Sequence, residues 1–80
     1  MNSKLTVIIV NYKSWDYLSK CLDSLIIQYS GTPNIVVVDN FSNDGKIQTF
    51  ESKYKSVEWI KLSYNSGFST ACNIGAKHAK

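Results

Sequence analysis

Arginine is absent from this chain of 80 residues. All nine basic residues are lysines, scattered from Lys4 to Lys80, and with six acidic residues they leave a net charge of +3 and a pI near 8.9. A nucleic-acid binder clusters its cations and uses arginine for bidentate contacts. Dispersed lysines read instead as a solvated surface with a weak attraction for anions. Cysteine is nearly absent too. Cys21 and Cys72 form neither a disulfide framework nor a Cys-x-x-Cys or metal-ligand spacing, so they read as small hydrophobes on helix faces in a reducing cytosol. Long apolar runs are missing. Leu5 to Val10 is too short for the core of a secretory signal, and Asn11, Tyr12 and Lys13 follow it at once. No segment reaches the length of a membrane span. There is no internal repeat and no low-complexity tract.

What is present is 44% apolar residues, ordinary for a globular protein. The length allows one small domain, burying about 60–65% of its unfolded surface and therefore with a thin stability margin. Leu5-Thr-Val-Ile-Ile-Val10 is β-branched and apolar, as in a strand buried on both faces. Ile35-Val-Val-Val38, after the turn Gly31-Thr-Pro33, predicts a second strand over Asn34 to Val38. Val57-Glu-Trp-Ile-Lys-Leu62 predicts a third, its charges marking an edge. Between them lies helical spacing. Leu18, Cys21, Leu22, Leu25, Ile26 and Tyr29 form one stripe, with Ser14 as N-cap, Asp16 in the first turn and Gly31 as stop. Ile47, Phe50 and Tyr54 mark a shorter helix capped by Asn43 or Asp44. A third begins near Ser66, with the small-residue stripe Phe68, Ala71, Cys72, Gly75, Ala76 and Ala79. Glycine at 75 lets that helix sit close to a sheet.

The order β-α-β-α-β-α predicts an α/β fold, a three-stranded parallel sheet joined by right-handed crossovers. The third helix is then a crossover toward a fourth strand, so the chain reads as cut inside a larger domain. In such sheets ligands bind beyond the carboxyl ends of the strands. Three segments reach that edge: Asn11-Tyr-Lys-Ser14, Asp39-Asn-Phe-Ser-Asn-Asp-Gly45 and Ser63-Tyr-Asn-Ser-Gly67. Asp39 can accept hydrogen bonds from a base imide or a ribose hydroxyl, or close the loop through its own backbone. Asp44 fits a helix cap. Tyr12 can stack on a base or cover the rim of the core. Asn65 and Gly67 precede a helix start, where backbone N–H groups meet phosphates or polar sugar groups. Asn73 and Gly75 lie within that helix. His78, the single histidine, has no visible partner and takes no role.

Two motifs are set aside. The first strand–helix turn, Asn11-Tyr-Lys-Ser-Trp-Asp16, lacks the Gly-x-Gly-x-x-Gly of a dinucleotide site. Asn40, Ser42, Asp44, Gly45, Ile47 and Glu51 match the spacing of a calcium loop, but a strand precedes it where a helix should, and position one has no carboxylate.

Taken together, the segments resemble the start of a family 2 glycosyltransferase with the A-type fold. Val7-Ile-Ile-Val-Asn-Tyr12 resembles the opening strand and turn, and Leu18-x-x-Cys-Leu-x-Ser-Leu25 the first helix. Ile35-Val-Val-Val-Asp-Asn-x-Ser-x-Asp-Gly45 resembles the second-strand signature, the most specific piece. Asn65-Ser-Gly-Phe-Ser-x-Ala-Cys-Asn-Ile-Gly75 is similar to a segment of rhamnosyltransferase-like members. The resemblance covers nearly the whole chain. It implies a nucleoside-diphosphate-sugar donor of the UDP or dTDP type. It further implies that Asp39 bonds the pyrimidine, Tyr12 flanks it, Asn11 lies in the same pocket, and Asn65, Gly67 and Asn73 shape the nucleoside side. The paired second aspartate of many members is Asn40 here.

The resemblance also implies what lies beyond. The family's Asp-x-Asp motif, which holds Mg or Mn, follows its fourth strand, and its catalytic base comes later. Residues 1–80 are thus expected to be a partial nucleotide-sugar-binding domain with no catalytic residue or cofactor of its own. The whole domain would transfer a sugar to an acceptor hydroxyl, for cell-surface polysaccharide, in the cytoplasm or at the membrane periphery. Two other readings stand beside this one. The first is a nucleotide-binding or interaction module complementing a separate catalytic half. The second is a non-functional remnant that self-associates through the free edge of its first strand. None of the readings involves nucleic acid.

Overall fold

The computed structural model describes residues 6–28 and 34–79. Leu5, Tyr29 and the Gly31-Thr-Pro33 turn, all assigned above, lie outside them. The elements run β1 (Thr6–Asn11), α1 (Trp15–Gln28), β2 (Asn34–Asp39), α2 (Lys46–Lys53), β3 (Glu58–Lys61) and α3 (Phe68–Ala79). The three strands form one parallel sheet in the order β1-β2-β3. The register pairs Thr6 with Asn34 through Asn11 with Asp39, and Val36 with Glu58 through Asp39 with Lys61. The strand–helix alternation read from the sequence is therefore the fold.

Burial within the sheet follows strand position. β2 has a neighbour on each side, and Ile35 to Asp39 are all buried. β1 was predicted to be buried on both faces. It is half-buried from Thr6 to Val10, because among the described residues only β2 pairs with it. The period of two in β2 sorts its side chains between two cores. Ile35 and Val37 join Trp15, Leu18, Leu22, Tyr54 and Val57 beneath α1 and α2. Val36 and Val38 meet Ala71 of α3 on the other face, with Val10, Ile60 and Leu62 packed alongside.

Helices α1 and α3 depart in detail from their predicted stripes, whereas the α2 row Ile47, Phe50 and Tyr54 packs on the core as read and only its cap differs. In α1 the inward row begins with Trp15, which is 6% exposed, and Ile26 falls outside it at 44%. The Ser14 carbonyl accepts the Leu18 N–H at 2.9 Å, but the Ser14 hydroxyl donates to the Tyr12 carbonyl at 3.1 Å. The cap of α2 is Gly45, not Asn43 or Asp44. Its φ of 79° is left-handed, a conformation glycine adopts without strain. In α3 the sheet-facing row is Ala71, Gly75 and Ala79, whereas Phe68 is 70% exposed and Ala76 also faces out. Phe68 opens the helix at the rim, before α3 passes over the strands. At Gly75 an added Cβ would lie 2.6 Å from the Ile8 Cγ2 and 3.0 Å from the Val38 Cγ2. The absence of a side chain there sets how closely α3 approaches β1 and β2.

Candidate functional site

The last residues of β1 and β2 face each other in register, so Asn11 and Asp39 arrive side by side at the carboxyl edge of the sheet. Both are buried, at 2% and 4% exposure. Asn11 Nδ2 donates to Asp39 Oδ1 at 2.9 Å. The Ser42 hydroxyl donates to the same oxygen at 2.7 Å, and the Ser42 N–H donates to Oδ2 at 3.0 Å. Ser42 Oγ in turn accepts the Lys13 N–H at 2.8 Å. The carboxylate thus ties the loop after β1 to the loop after β2. Both roles weighed for Asp39 meet here: it closes its own loop, and it keeps acceptor capacity, since a carboxylate offers about four lone-pair sites. Asn11 Oδ1 is buried without a hydrogen-bond partner among the described residues.

The loop backbone is unusually shaped. Lys13, Phe41 and Asn43 take φ values of 53°, 66° and 52°. Non-glycine residues in this region cost energy and occur where surrounding bonds over-determine them, often at functional sites. Here the Asp39–Ser42–Lys13 chain supplies those bonds. The next residue, Asn40, links the cluster to the loop before α3, through bonds to Asn65 and Ser66.

Most of the residues singled out in the sequence converge. Asn11, Asp39 and, through Asn40, Asn65 belong to one hydrogen-bonded network. Tyr12 leaves the end of β1 46% exposed, with the Lys13 ammonium 5.4 Å from its ring centroid. Gly67 is exposed at a φ of 83°, and its carbonyl accepts the Ala71 N–H at 3.1 Å to start α3. Asn73 stands apart, exposed along α3, and among the described residues no hydrogen bond joins it to the cluster. Ser42 and Asn40 were not foreseen as structural partners of Asp39 and Asn65. A serine three residues after an aspartate signals such a loop weakly, because the same spacing occurs in many turns.

Trp15 was likewise missed. Its ring packs 4.8 Å from that of Phe50, and its indole N–H donates to Asp44 Oδ2 at 2.8 Å. Asp44 Oδ1 accepts the Lys46 N–H at 3.2 Å. The indole bond, foremost, holds the Asp44 carboxyl below its ordinary pKa. A lowered folded value means that the unfolded chain takes up the proton first. The pair's stabilisation is therefore complete above the ordinary carboxylate range and is lost as pH falls below about 4. In Trp15→Phe, an NMR titration should find the Asp44 midpoint moved up toward the ordinary value. An unmoved midpoint would remove the indole as the cause. A cleft of about 320 Å³ opens here, lined by Lys13 to Tyr17 and Lys46.

Residues 6–80 match the family described as Glycosyl transferase family 2. The chain belongs to glycosyl transferase family 2. Its fold superposes on the crystal structure of Staphylococcus aureus TarS 1-349 with a TM-score of 0.82 and 32% identity, covering 98% of this chain and 25% of that one. It is 38% identical over 94% of its length to the glycosyltransferase GlyA of Streptococcus pneumoniae. It is 30% identical over 91% to an N-acetylglucosaminyl-diphospho-decaprenol L-rhamnosyltransferase of Mycobacterium tuberculosis. The family 2 chain spans 11% of the first of these relatives and 24% of the second.

The described residues hold no group of three His, Cys, Asp or Glu placed to bind an ion. No helix among them is long and apolar enough to cross a membrane.

Proposed function

We propose that the strand-end cluster is the nucleoside half of a sugar-nucleotide site, in a glycosyltransferase that moves a sugar from a UDP- or dTDP-type donor to an acceptor hydroxyl of a cell-surface polysaccharide. The observation that carries this reading is the registered pair Asn11–Asp39 at the carboxyl edge of the sheet, where α/β folds bind ligands. Asp39 would accept the imide N–H of a uracil or thymine with its remaining lone pair. Tyr12 would flank the base with the ring face that its exposure leaves open. Asn65 and Gly67 would bound the nucleoside from the α3 side, and Asn73 would reach it from the helix. The metal and the catalytic base would come from outside these residues.

The test is calorimetric titration of the chain with UDP and dTDP. Binding in the micromolar to millimolar range is expected, and Tyr12→Ala should weaken it by about fivefold to a hundredfold, the loss of one base–aromatic stack. Tyr12 is the appropriate control because its exposure makes misfolding of the variant no explanation. Saturable binding that Tyr12→Ala leaves unchanged would move the base elsewhere. Self-association through β1 is part of the same proposal. What supports it is that, among the described residues, only β2 pairs with β1, beside an apolar groove of about 410 Å³ lined by Val7, Ile9, Cys21 and Leu25.

A further inference from the structure

Asn40 occupies a junction that neither the fold nor the nucleotide reading explains. It is 4% exposed, and every polar group of its amide is engaged. Its backbone N–H donates to the Asn11 carbonyl at 2.8 Å. Its Oδ1 accepts the Ser66 N–H at 2.8 Å and the Ser66 hydroxyl at 3.0 Å. Its Nδ2 donates to Asn65 Oδ1 at 3.2 Å. Asn65 Oδ1 also accepts the Gly67 N–H at 3.0 Å.

Two backbone donors fix both amides. A backbone N–H only donates, so the Asn40 atom facing Ser66 is its oxygen, and its NH₂ must face Asn65. The Asn65 atom facing the Gly67 N–H is likewise its oxygen. Neither amide can turn over without setting donor against donor. Position 40 must therefore donate, and position 65 need only accept.

We propose that Asn40 is a positioning residue, whose amide holds the Asn65–Gly67 turn against the end of β2 and requires a donor at 40 and an acceptor at 65. For its functional consequence this rests on the nucleotide reading. The turn it holds carries Asn65 and Gly67 at the rim beside Asp39, so a loosened turn presents a less organised pocket.

The two amides should respond unequally to the same chemical change. Asn65→Asp keeps the acceptor and makes its two bonds charge-assisted, so the turn stays in place. Asn40→Asp removes the donor and sets an oxygen against the Asn65 oxygen. Asn65→Ala removes the acceptor from an exposed position and serves if Asn40→Asp does not fold. The readouts are backbone ¹⁵N order parameters of residues 63–67 in the free chain and, separately, the dissociation constant for UDP. Order parameters at the rigid value of about 0.85 are expected for wild type and Asn65→Asp, falling toward 0.6 in Asn40→Asp and Asn65→Ala. UDP affinity should fall about fivefold to tenfold in Asn40→Asp, whose side chain is given no contact with the nucleoside, the loss of one hydrogen bond.

Equal loosening by Asn65→Asp and Asn65→Ala would overturn the proposal, as would wild-type order in both Asn40→Asp and Asn65→Ala. A chain that shows the unequal pattern but binds no UDP would confirm the positioning role and remove the nucleotide reading instead.

Discussion

Asp39→Ala should lower the unfolding free energy by about 2–4 kcal/mol and at the same time abolish nucleotide binding. The substitution strands the Asn11 amide and the Ser42 N–H, which both lose their acceptor in a buried site. Each stranded buried donor costs about 1–3 kcal/mol. The Ser42 hydroxyl can turn to another acceptor, and the burial cost of the carboxylate itself disappears, so the sum stays below the maximum. Against a total of about 4–12 kcal/mol for 80 residues, the loss would be plain in a urea titration. Asp39→Asn should fall between, because it keeps one acceptor and turns a donor toward the other partners. Lost binding with an unchanged urea midpoint would make Asp39 a ligand group only. A shifted midpoint with intact binding would make it a loop closure only. The proposed site predicts both losses together, because the oxygens that hold the loop would also bind the base.

Gly75→Ala should destabilise the chain by up to about 2 kcal/mol net, and Gly75→Val by about 3 kcal/mol or more. Two effects oppose each other at this position. Alanine is favoured over glycine in a helix by about 1 kcal/mol. The new Cβ, however, would meet two methyl groups at 2.6 and 3.0 Å. Both belong to β-branched residues in strands, which are stiff at χ1. Overpacking of this kind costs about 1–3 kcal/mol, and relief requires α3 to lift from β1 and β2. Valine adds two more carbons to the same contact and gains less in propensity. At this size each kcal/mol moves the melting temperature by about 4–8 °C. A higher melting temperature for Gly75→Ala would mean that α3 packs farther out than described.

The architecture was legible because it is written in periodicities. Runs of two kinds, β-branched and three-to-four spaced, alternate along the chain, and their order leaves one topology. What the periodicity missed was which strand is central. Val7 to Val10 and Ile35 to Val38 look alike as sequence, and only the strand order makes β2 the buried one. Helix faces were misread at Phe68, which opens α3 at the rim, and at Ala76 and Ile26, which adjoin the buried rows but point away from them. The site was legible as a set of strand-end segments, because chain topology delivers them to one edge. Its wiring was not. Asn40 and Trp15 act through partners 25 and 29 residues away, and Ser42 joins the nearby Asp39 to Lys13, 29 residues away; no local pattern announces these long-range bonds. The α2 cap went to Gly45 because the loop arrives in a left-handed conformation that propensity rules for Asn43 and Asp44 do not foresee.

The registry of the sheet has a kinetic side. Asn11 and Asp39 meet across 28 residues of chain, and in a parallel sheet no pair of strands can be joined by a short hairpin. Every ladder bond must therefore wait for a long loop to close, at an entropic cost met before the bond forms. Helix α1 can gather locally while β1 and β2 are still apart. In that interval two β-branched segments, Val7 to Val10 and Ile35 to Val38, stand open to each other and to other chains. The end of this waiting period is the event that also brings Asn11 to Asp39. Assembly of the Asn11–Asp39 cluster and escape from aggregation are then one step, so the rate of productive folding and the yield of a formed strand-end cluster should rise and fall together.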